Sequence, residues 1–446
     1  MGSIRQTRIT EIENEETLFA AETAFPAEIT FPGDVAMKEK IFRFIENSAA
    51  LAVELETELC RRPAISPENG GEGELDKCVF LEGWLKTQGI DQLERFDAPD
   101  KRAKGGVRPS LVATVPGRDK NPENGRFWIM SHLDVVPPGE ASLWKTDPWK
   151  LETAGKRIIG RGVEDNQQGL TSSVLAALSL IKQGITPSRT VKLLFAADEE
   201  NGSVYSVVWL LKNHPELFRK NDLVLIPDSG DETGSAIEIA EKNNVKVKCV
   251  TKGKQAHAAS PQHGINAYLA GADLTVRLYH GLNEKFSDRD PLFTPPVSTF
   301  EPTKKEPNVP NVNTIPGEDV FYIDMRILPR HPIDDVIKEM NRIKAEVEEK
   351  YGVTIDCHVE RSMESPPTPA DSPLIQFLSK NVEEVYRVKT KTIGIGGGTF
   401  AAFLRKANID CAVWARIDHT AHQPNEYALM DNILGDAKVM ALMMIS

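Results

Sequence analysis

Residues 127–134 read Phe-Trp-Ile-Met-Ser-His-Leu-Asp, and residues 190–202 read Thr-Val-Lys-Leu-Leu-Phe-Ala-Ala-Asp-Glu-Glu-Asn-Gly. Each is a short apolar run that ends in ionisable residues. A strand buried on both faces reads this way when its far end opens on a ligand site, and such strands belong to parallel sheets covered by helices on both sides. The surrounding chain repeats the pattern. Strands are expected at 110–115, 127–131, 190–197 and 223–226, and helices at 170–183, stopped by Gly184, and at 203–213. Upstream, Ile41, Phe44, Ile45, Leu51, Leu55 and Leu59 keep helical spacing from 38 to 62.

Between about 243 and 360 the period changes. Val245, Val247 and Cys249 alternate with lysines, and Phe321, Ile323, Met325 and Ile327 alternate in the same way, as do Val353, Ile355, Cys357 and Val359. These read as half-buried strands, with helices at 266–280 and at 333–351, the latter closed by Gly352. The doubly wound pattern then resumes with a helix at 373–386, strands at 391–395 and 409–415, and a last helix after Asn425. The expected fold is therefore α/β, a doubly wound and mostly parallel sheet split by an inserted α+β module with one open sheet face.

The length of 446 residues suits two or three domains. Hydrophobic residues at 40% and charged residues at 26% fit a globular chain, and 53 Lys and Arg against 65 Asp and Glu leave a net charge of −12. That balance argues against nucleic acid or anionic lipid as a partner. No apolar run is long enough to span a membrane, and MGSIRQTRIT lacks the apolar core of a secretion signal. Cys60, Cys78, Cys249, Cys357 and Cys411 are odd in number and include no CxxC pair, so a reduced, cytoplasmic protein is expected.

Five short motifs fall where expected strands end: His132-Leu133-Asp134, Gly160-Arg161-Gly162-Val163-Glu164-Asp165, Asp198-Glu199-Glu200-Asn201-Gly202, Pro227-Asp228-Ser229-Gly230, and His419-Thr420-Ala421-His422-Gln423-Pro424-Asn425-Glu426. Two histidines and several carboxylates converging in this way suit a borderline divalent metal, zinc first, with cobalt or manganese as substitutes. The period of two places His132 and Asp134 on one side of the chain, as when a carboxylate accepts the far N–H of a metal-bound imidazole. Glu199 and Glu200, adjacent after a buried strand, point different ways, which suits one base and one ligand.

In this order the motifs resemble those of the M20 metallopeptidases, the group of dipeptidases, glutamate carboxypeptidase, aminoacylases, acetylornithine deacetylase and succinyl-diaminopimelate desuccinylase. The resemblance runs from about Lys38 to the C-terminus. It implies that His132 and Asp228 hold one metal ion, that Glu200 and His422 hold a second, and that Asp165 bridges them. Glu199 is then the general base and Asp134 the partner of His132. The insert resembles the family's ferredoxin-like lid, which implies a homodimer. The expected organisation is an extension at 1–36, a catalytic domain at 37–242 and 361–446, and the lid at 243–360.

Within the lid, Gly253-Lys254-Gln255-Ala256-His257 and Gly264-Ile265-Asn266-Ala267 resemble the motif whose histidine, here His257, reaches the partner's site. Asn266, Arg326, Gly398 and Thr399 are the substrate-binding expectations, with Arg326 holding a carboxylate through two parallel hydrogen bonds and 396–399 presenting backbone N–H groups. Two positions depart from the family pattern. Asp165-Asn166-Gln167-Gln168-Gly169 lacks the usual Lys and delays its Gly by one residue, so a different local turn is expected. Asp228 stands where deacylases more often carry Glu, which tilts the substrate towards a peptide.

Other readings of these residues are plainer. Arg326 can pair with Asp324, Asp228 can be a turn residue between Asp222 and Asp231, and Gly396–Gly398 lacks the GxGxxG spacing of a dinucleotide loop. The expected function is hydrolysis of the amide bond of a small dipeptide or N-acyl amino acid by a dinuclear site. The alternatives are a carbamoyl or acyl amino acid deacylase and a non-catalytic relative that only binds a ligand.

Overall fold

The computed structural model describes residues 32–446. The expected extension at 1–36 lies outside the described residues except for its last five, which already belong to the helix Pro32–Glu46. The expected helix from 38 to 62 is two, Pro32–Glu46 and Ala49–Cys60. At the break Ser48 Oγ donates to Phe44 O at 2.8 Å in place of the Ser48 N–H, which turns to Ile45 O at 2.9 Å.

Twelve strands form the two main sheets, numbered here in chain order. They are β1 Leu93–Pro99, β2 Val107–Val115, β3 Phe127–His132, β4 Val191–Ala196, β5 Leu223–Asp231, β6 Ala236–Glu241, β7 Asn243–Lys252, β8 Thr299–Lys305, β9 Glu318–Ile327, β10 Thr354–Met363, β11 Lys391–Ile395 and β12 Cys411–Arg416. The larger sheet has the order β1-β2-β4-β3-β5-β12-β6-β11. It is parallel from β4 through β12 and again between β6 and β11, and antiparallel at β1/β2, β2/β4 and β12/β6. In β3 alternate residues serve opposite faces. Phe127 and Ile129 pack with the helices Gly169–Ile181 and Met430–Ile445, whereas Trp128 and Met130 pack with Val207, Leu210 and the short helix Ala401–Lys406. Burial on both faces accounts for the unbroken apolar runs.

The second sheet, in the order β8-β9-β7-β10, is antiparallel throughout. The helices Ala267–Lys285 and Ile333–Tyr351 cover one of its faces with a separate apolar core. Gly352, at φ +66°, closes the second helix in the left-handed conformation. The sheet has four strands where the alternation pointed to three. β8 was hidden because Pro302 and three lysine or glutamate side chains give it an edge-strand composition with no apolar period. Cys249 and Cys357, 108 residues apart in sequence, lie directly opposite each other on β7 and β10. Among the described residues no helix is long and apolar enough to cross a membrane.

Candidate functional site

The C-terminal ends of β3, β4 and β5 and the loops after Ile159 and β12 meet at one cleft of about 320 Å³. It is lined by Asp165, Glu199, Glu200, Asp228, His422, Asn244, Arg326, Gly398 and Thr399, with Gly202. Asp165 stands at its centre. One oxygen, Oδ1, lies 2.9 Å from His132 Nε2 and the other, Oδ2, lies 3.0 Å from His422 Nε2. Asp228 Oδ1 approaches His132 Nε2 at 3.5 Å, and both Glu200 oxygens approach His422 Nε2 at 3.1 Å. The structure thus brings the five residues expected as ligands close together.

Glu199 completes the group. Its carboxylate, His132 and Asp228 offer donor atoms within 4.8 Å of one another, and so do His132, Asp165 and Glu200. Burial, reinforced by the charge of Asp228, raises the Glu199 carboxyl well above the ordinary range. Burial and then Asp165 bring Glu200 up to about 7. Hydrogen bonds to Asp165 and Glu200 carry the His422 imidazole up to about 10. Burial opposes charge on His132, yet the carboxylates of Asp134, Asp165 and Asp228 outweigh it and raise that group well above its usual value. The donor set is thus rich in carboxylate charge and short of positive charge. Divalent cations would meet that need, and imidazole nitrogens with carboxylate oxygens are the donors for borderline metals.

Asp134 is the neighbour of His132, and its backbone oxygen is the nearer contact. His132 Nδ1 donates to the backbone oxygen of Asp134 at 3.0 Å, while the Asp134 carboxylate is farther away at 3.5 Å. This still fixes the tautomer and leaves Nε2 facing the cleft. The Asp134 carboxylate instead accepts the backbone N–H groups of Glu199 at 3.0 Å and Glu200 at 3.1 Å, and so orients the base and ligand candidates.

Two other carboxylates perform similar work, and sequence reading gave neither a role. Buried Glu426 accepts from Arg161 Nη1 at 2.6 Å, Gly162 N at 2.8 Å, and Glu164 N and Asp165 N at 3.0 Å each. Glu164 in turn accepts from the backbone N–H groups of Asp418 at 2.7 Å, Thr420, and Ala421 at 2.8 Å, and so holds the loop that presents His422. Their signal was an acidic residue inside a motif with no ligand left to be.

The unusual stretch after Asp165 forms a wide turn over Val163–Gln168 before the helix begins at Gly169. Asn166 Nδ2 donates to Pro227 O at 2.5 Å and Asp228 Oδ1 at 2.8 Å, tying the two ligand-bearing loops together. Gln168 reaches Arg416 O and buried Asp436. Gly169 has to be glycine, because a Cβ there would lie 2.4 Å from Pro227 O.

The remaining expectations divide. Arg326, Gly398 and Thr399 line the cleft, but Thr399 N and Oγ1 both donate to Glu241, at 3.0 and 2.8 Å, so that N–H is not presented to a ligand. Arg326 pairs with Asp324 through Nε at 2.6 Å and Nη2 at 3.2 Å, and donates from Nη1 to Gly396 O at 2.9 Å. One N–H on each terminal nitrogen remains. Asn266 caps the helix Ala267–Lys285 by accepting from Leu269 N and does not line the cleft. His257 is exposed, accepts from Ala259 N, and is likewise absent from the cleft wall of its own chain.

An open α/β sheet whose strand ends bring two histidines and four carboxylates into one cleft under an inserted antiparallel sheet defines a metal-dependent hydrolase. The sequence model of peptidase family M20/M25/M40 matches residues 128–446. A metallohydrolase of Methanocaldococcus jannaschii is 36% identical over 405 residues, covering 87% of this chain and 97% of the relative. A succinyl-diaminopimelate desuccinylase of Cereibacter sphaeroides is 28% identical over 379 residues, covering 84% and 93%. The crystal structure of aminopeptidase PepT from Bacillus cereus superposes with a TM-score of 0.71 at 19% identity, covering 89% and 98%. The chain belongs to peptidase family M20/M25/M40 and is a hydrolase.

Proposed function

We propose that this enzyme cleaves the amide bond of a small dipeptide or N-acyl amino acid at a dinuclear metal site. The observation that carries the proposal is the placement of Asp165, one oxygen on each of two histidines that carry separate carboxylate partners. His132 and Asp228 would hold one cation, Glu200 and His422 the other, and Asp165 both. The N and O donors suit zinc, with cobalt or manganese as alternatives. Two such cations supply Lewis acidity and make water a far stronger acid.

Glu199 is close enough to His132 and Asp228 to be read as a ligand. With five other donors already distributed over two positions, it serves better as the base. It takes the proton of the attacking water and delivers it to the nitrogen of the breaking C–N bond, so that a carboxylate and an amine leave. Arg326 offers its two remaining N–H groups to a substrate carboxylate.

The lid supports a homodimer. On the helix Ala267–Lys285, Tyr268, Leu269, Val276 and Tyr279 are 38–55% exposed and fall on one helical face. That face flanks a groove of about 380 Å³ beside the edge strand β8, whose outer hydrogen-bonding groups are free to pair with a second copy. In such a dimer exposed His257 would serve the partner's cleft. The cysteines are free thiols, which supports a cytoplasmic setting.

The test is turnover of dipeptides and of N-acetyl, N-succinyl and N-carbamoyl amino acids before and after chelation. Activity on at least one class should vanish with chelation and return with about two equivalents of Zn²⁺, Co²⁺ or Mn²⁺. Undiminished turnover in metal-free protein would remove the dinuclear reading, and ligand binding without turnover would favour a non-catalytic role.

A further inference from the structure

We infer that Cys249 and Cys357 form a dithiol site in the lid, which a low-molecular-weight disulfide closes to a bridge between the strand by which the chain enters the lid and the strand by which it leaves. The inference is independent of the substrate and of the metal ions.

The register carries it. Cys249 on β7 and Cys357 on β10 are direct partners in an antiparallel pair. Residues so placed have Cα atoms about 4.5–5.5 Å apart, inside the window of about 4.4–6.8 Å that a disulfide requires. Their side chains share a face, and the two sulfur atoms are in contact at 2.7 Å. That face is the one under the helices Ala267–Lys285 and Ile333–Tyr351, with Cys249 in the apolar core of the lid and Cys357 at its margin. Cys249 is fully buried and Cys357 half-buried, so a small reagent reaches Cys357 first. β10 is the edge of the lid sheet away from β8, so a dimer formed through β8 leaves Cys357 accessible.

The other three cysteines are solitary. Cys60 donates to Pro148 O and Cys411 to Ile409 O, each at 3.3 Å, and neither they nor Cys78 touch a second sulfur. Burial holds all three thiols protonated, pushing Cys60 and Cys78 up to about 12. Within the pair, the hydrogen bond to Cys357 and then burial keep Cys249 protonated, against the nearby Lys344 ammonium. Cys249 is therefore the donor of the pair and Cys357 the sulfur that reacts.

The Cys357 thiolate attacks one sulfur of a disulfide such as oxidised glutathione and expels a glutathione thiolate. Cys249 then gives up its proton and attacks Cys357 Sγ, which forms the bridge and releases the second glutathione. Two protein thiols are oxidised, one glutathione disulfide is reduced, and the two thiol protons end on the two glutathiones. β7 begins and β10 ends at the root of the lid, where Ser365 N donates to Asn243 Oδ1 at 2.9 Å. The bridge thus closes the 108 residues between the cysteines into a loop, which restricts the unfolded chain and stabilises the lid.

The test equilibrates the full-length, metal-loaded protein with glutathione buffers of rising oxidised fraction, quenches by alkylation, and reads intact mass and peptide maps. In wild type two of the five free thiols should be lost together, with one pair of peptides joined at Cys249 and Cys357, and dithiothreitol should restore all five. Cys249→Ser should stop at one glutathione on Cys357, whereas Cys357→Ser should keep all its thiols. Oxidised wild type should melt several degrees above the reduced protein, a difference absent from both variants. Five thiols retained at every ratio, a wild type that stops at the mixed disulfide, or modification spread over Cys60, Cys78 and Cys411 would overturn the site, and these wild-type readings need no variant. A bridged protein that melts like the reduced one would overturn its stabilising role.

Discussion

Glu426→Gln is the most informative single perturbation, because it changes one buried atom and bears on the backbone that carries Asp165. Glu426 is fully buried and divides four donors between its oxygens, Arg161 and Gly162 on Oε2, Glu164 and Asp165 on Oε1. Burial lifts the carboxyl to about 7, with Arg161 and the backbone N–H groups opposing that rise. Glutamine keeps the shape, but whichever way its amide turns, an NH₂ group replaces an oxygen that faced two donors. Stranding buried donors costs about 1–3 kcal/mol each. Breaking the 2.6 Å pair with Arg161, itself 2% exposed, falls in the ~3–5 kcal/mol range for a buried ion pair.

These costs overlap, so the loop at 161–165 should be destabilised by ~3–5 kcal/mol in all. If ~3 kcal/mol of that is drawn from cation binding at Asp165, metal affinity falls about a hundredfold. Metal content at fixed free zinc, with thermal melts and turnover at excess metal, measures the three consequences separately. Affinity should fall, the melting temperature should drop by a few degrees, and excess metal should restore part of the activity. A glutamine variant that binds two equivalents with unchanged affinity and melts like wild type would refute the claim that Glu426 positions Asp165.

Glu199→Gln should retain both cations and lose several orders of magnitude in kcat, since it removes the proton acceptor and keeps the shape; near-normal turnover would remove Glu199 from the base role. Burial raises Asp436 from 3.8 to about 7, against its hydrogen bonds with Tyr386, Arg416 and Gln168. A carboxyl raised on folding contributes its stability below the unfolded value and loses it as pH climbs through the folded one. Wild type should therefore lose up to about 4 kcal/mol between pH 4 and 8 relative to Asp436→Asn, and parallel melting curves for the two proteins would contradict this. His257→Ala and Glu199→Gln chains, each inactive alone, should recover up to about a quarter of wild-type activity after subunit exchange, because half of the random dimers are mixed and each has one complete site of two. A monomer, or no recovery despite proven exchange, would keep His257 out of a partner's cleft.

The parallel strands were legible because burial on both faces leaves an apolar run of diagnostic length, and Phe127–His132 and Val191–Ala196 fell within a residue or two of expectation. β1 escaped notice because its residues are mostly exposed or half-buried and its sequence, Leu-Glu-Arg-Phe-Asp-Ala-Pro, has no clean period. β6 escaped for the opposite reason. Ala236–Glu241 is wholly buried, but it includes Glu238 and Glu241, which the distant Arg405, at 3.4 and 3.8 Å, and for Glu241 also Thr399, make tolerable inside. The ligand candidates were readable because strand ends project them together. The place of Asn244 in the cleft was not, because it depends on register with Arg326, which the sequence does not state.

The acidic motifs hold more carboxylates than a two-cation site needs, and the geometry explains the surplus. Asp134, Glu164 and Glu426 turn away from the cleft and accept backbone N–H groups, each from a loop other than its own. Asp134, beyond β3, fixes the loop beyond β4. Glu164, in the loop that carries Asp165, fixes the loop that carries His422, and Glu426, from that second loop, fixes the first. The closure is reciprocal: each loop supplies a carboxylate that holds the other. Side-chain oxygens here replace the hydrogen bonds that regular structure would have given to irregular backbone, which ties down the loops that carry the candidate ligands. A motif count therefore overstates the candidate ligands, and the excess acids hold the loops on which the five candidates converge.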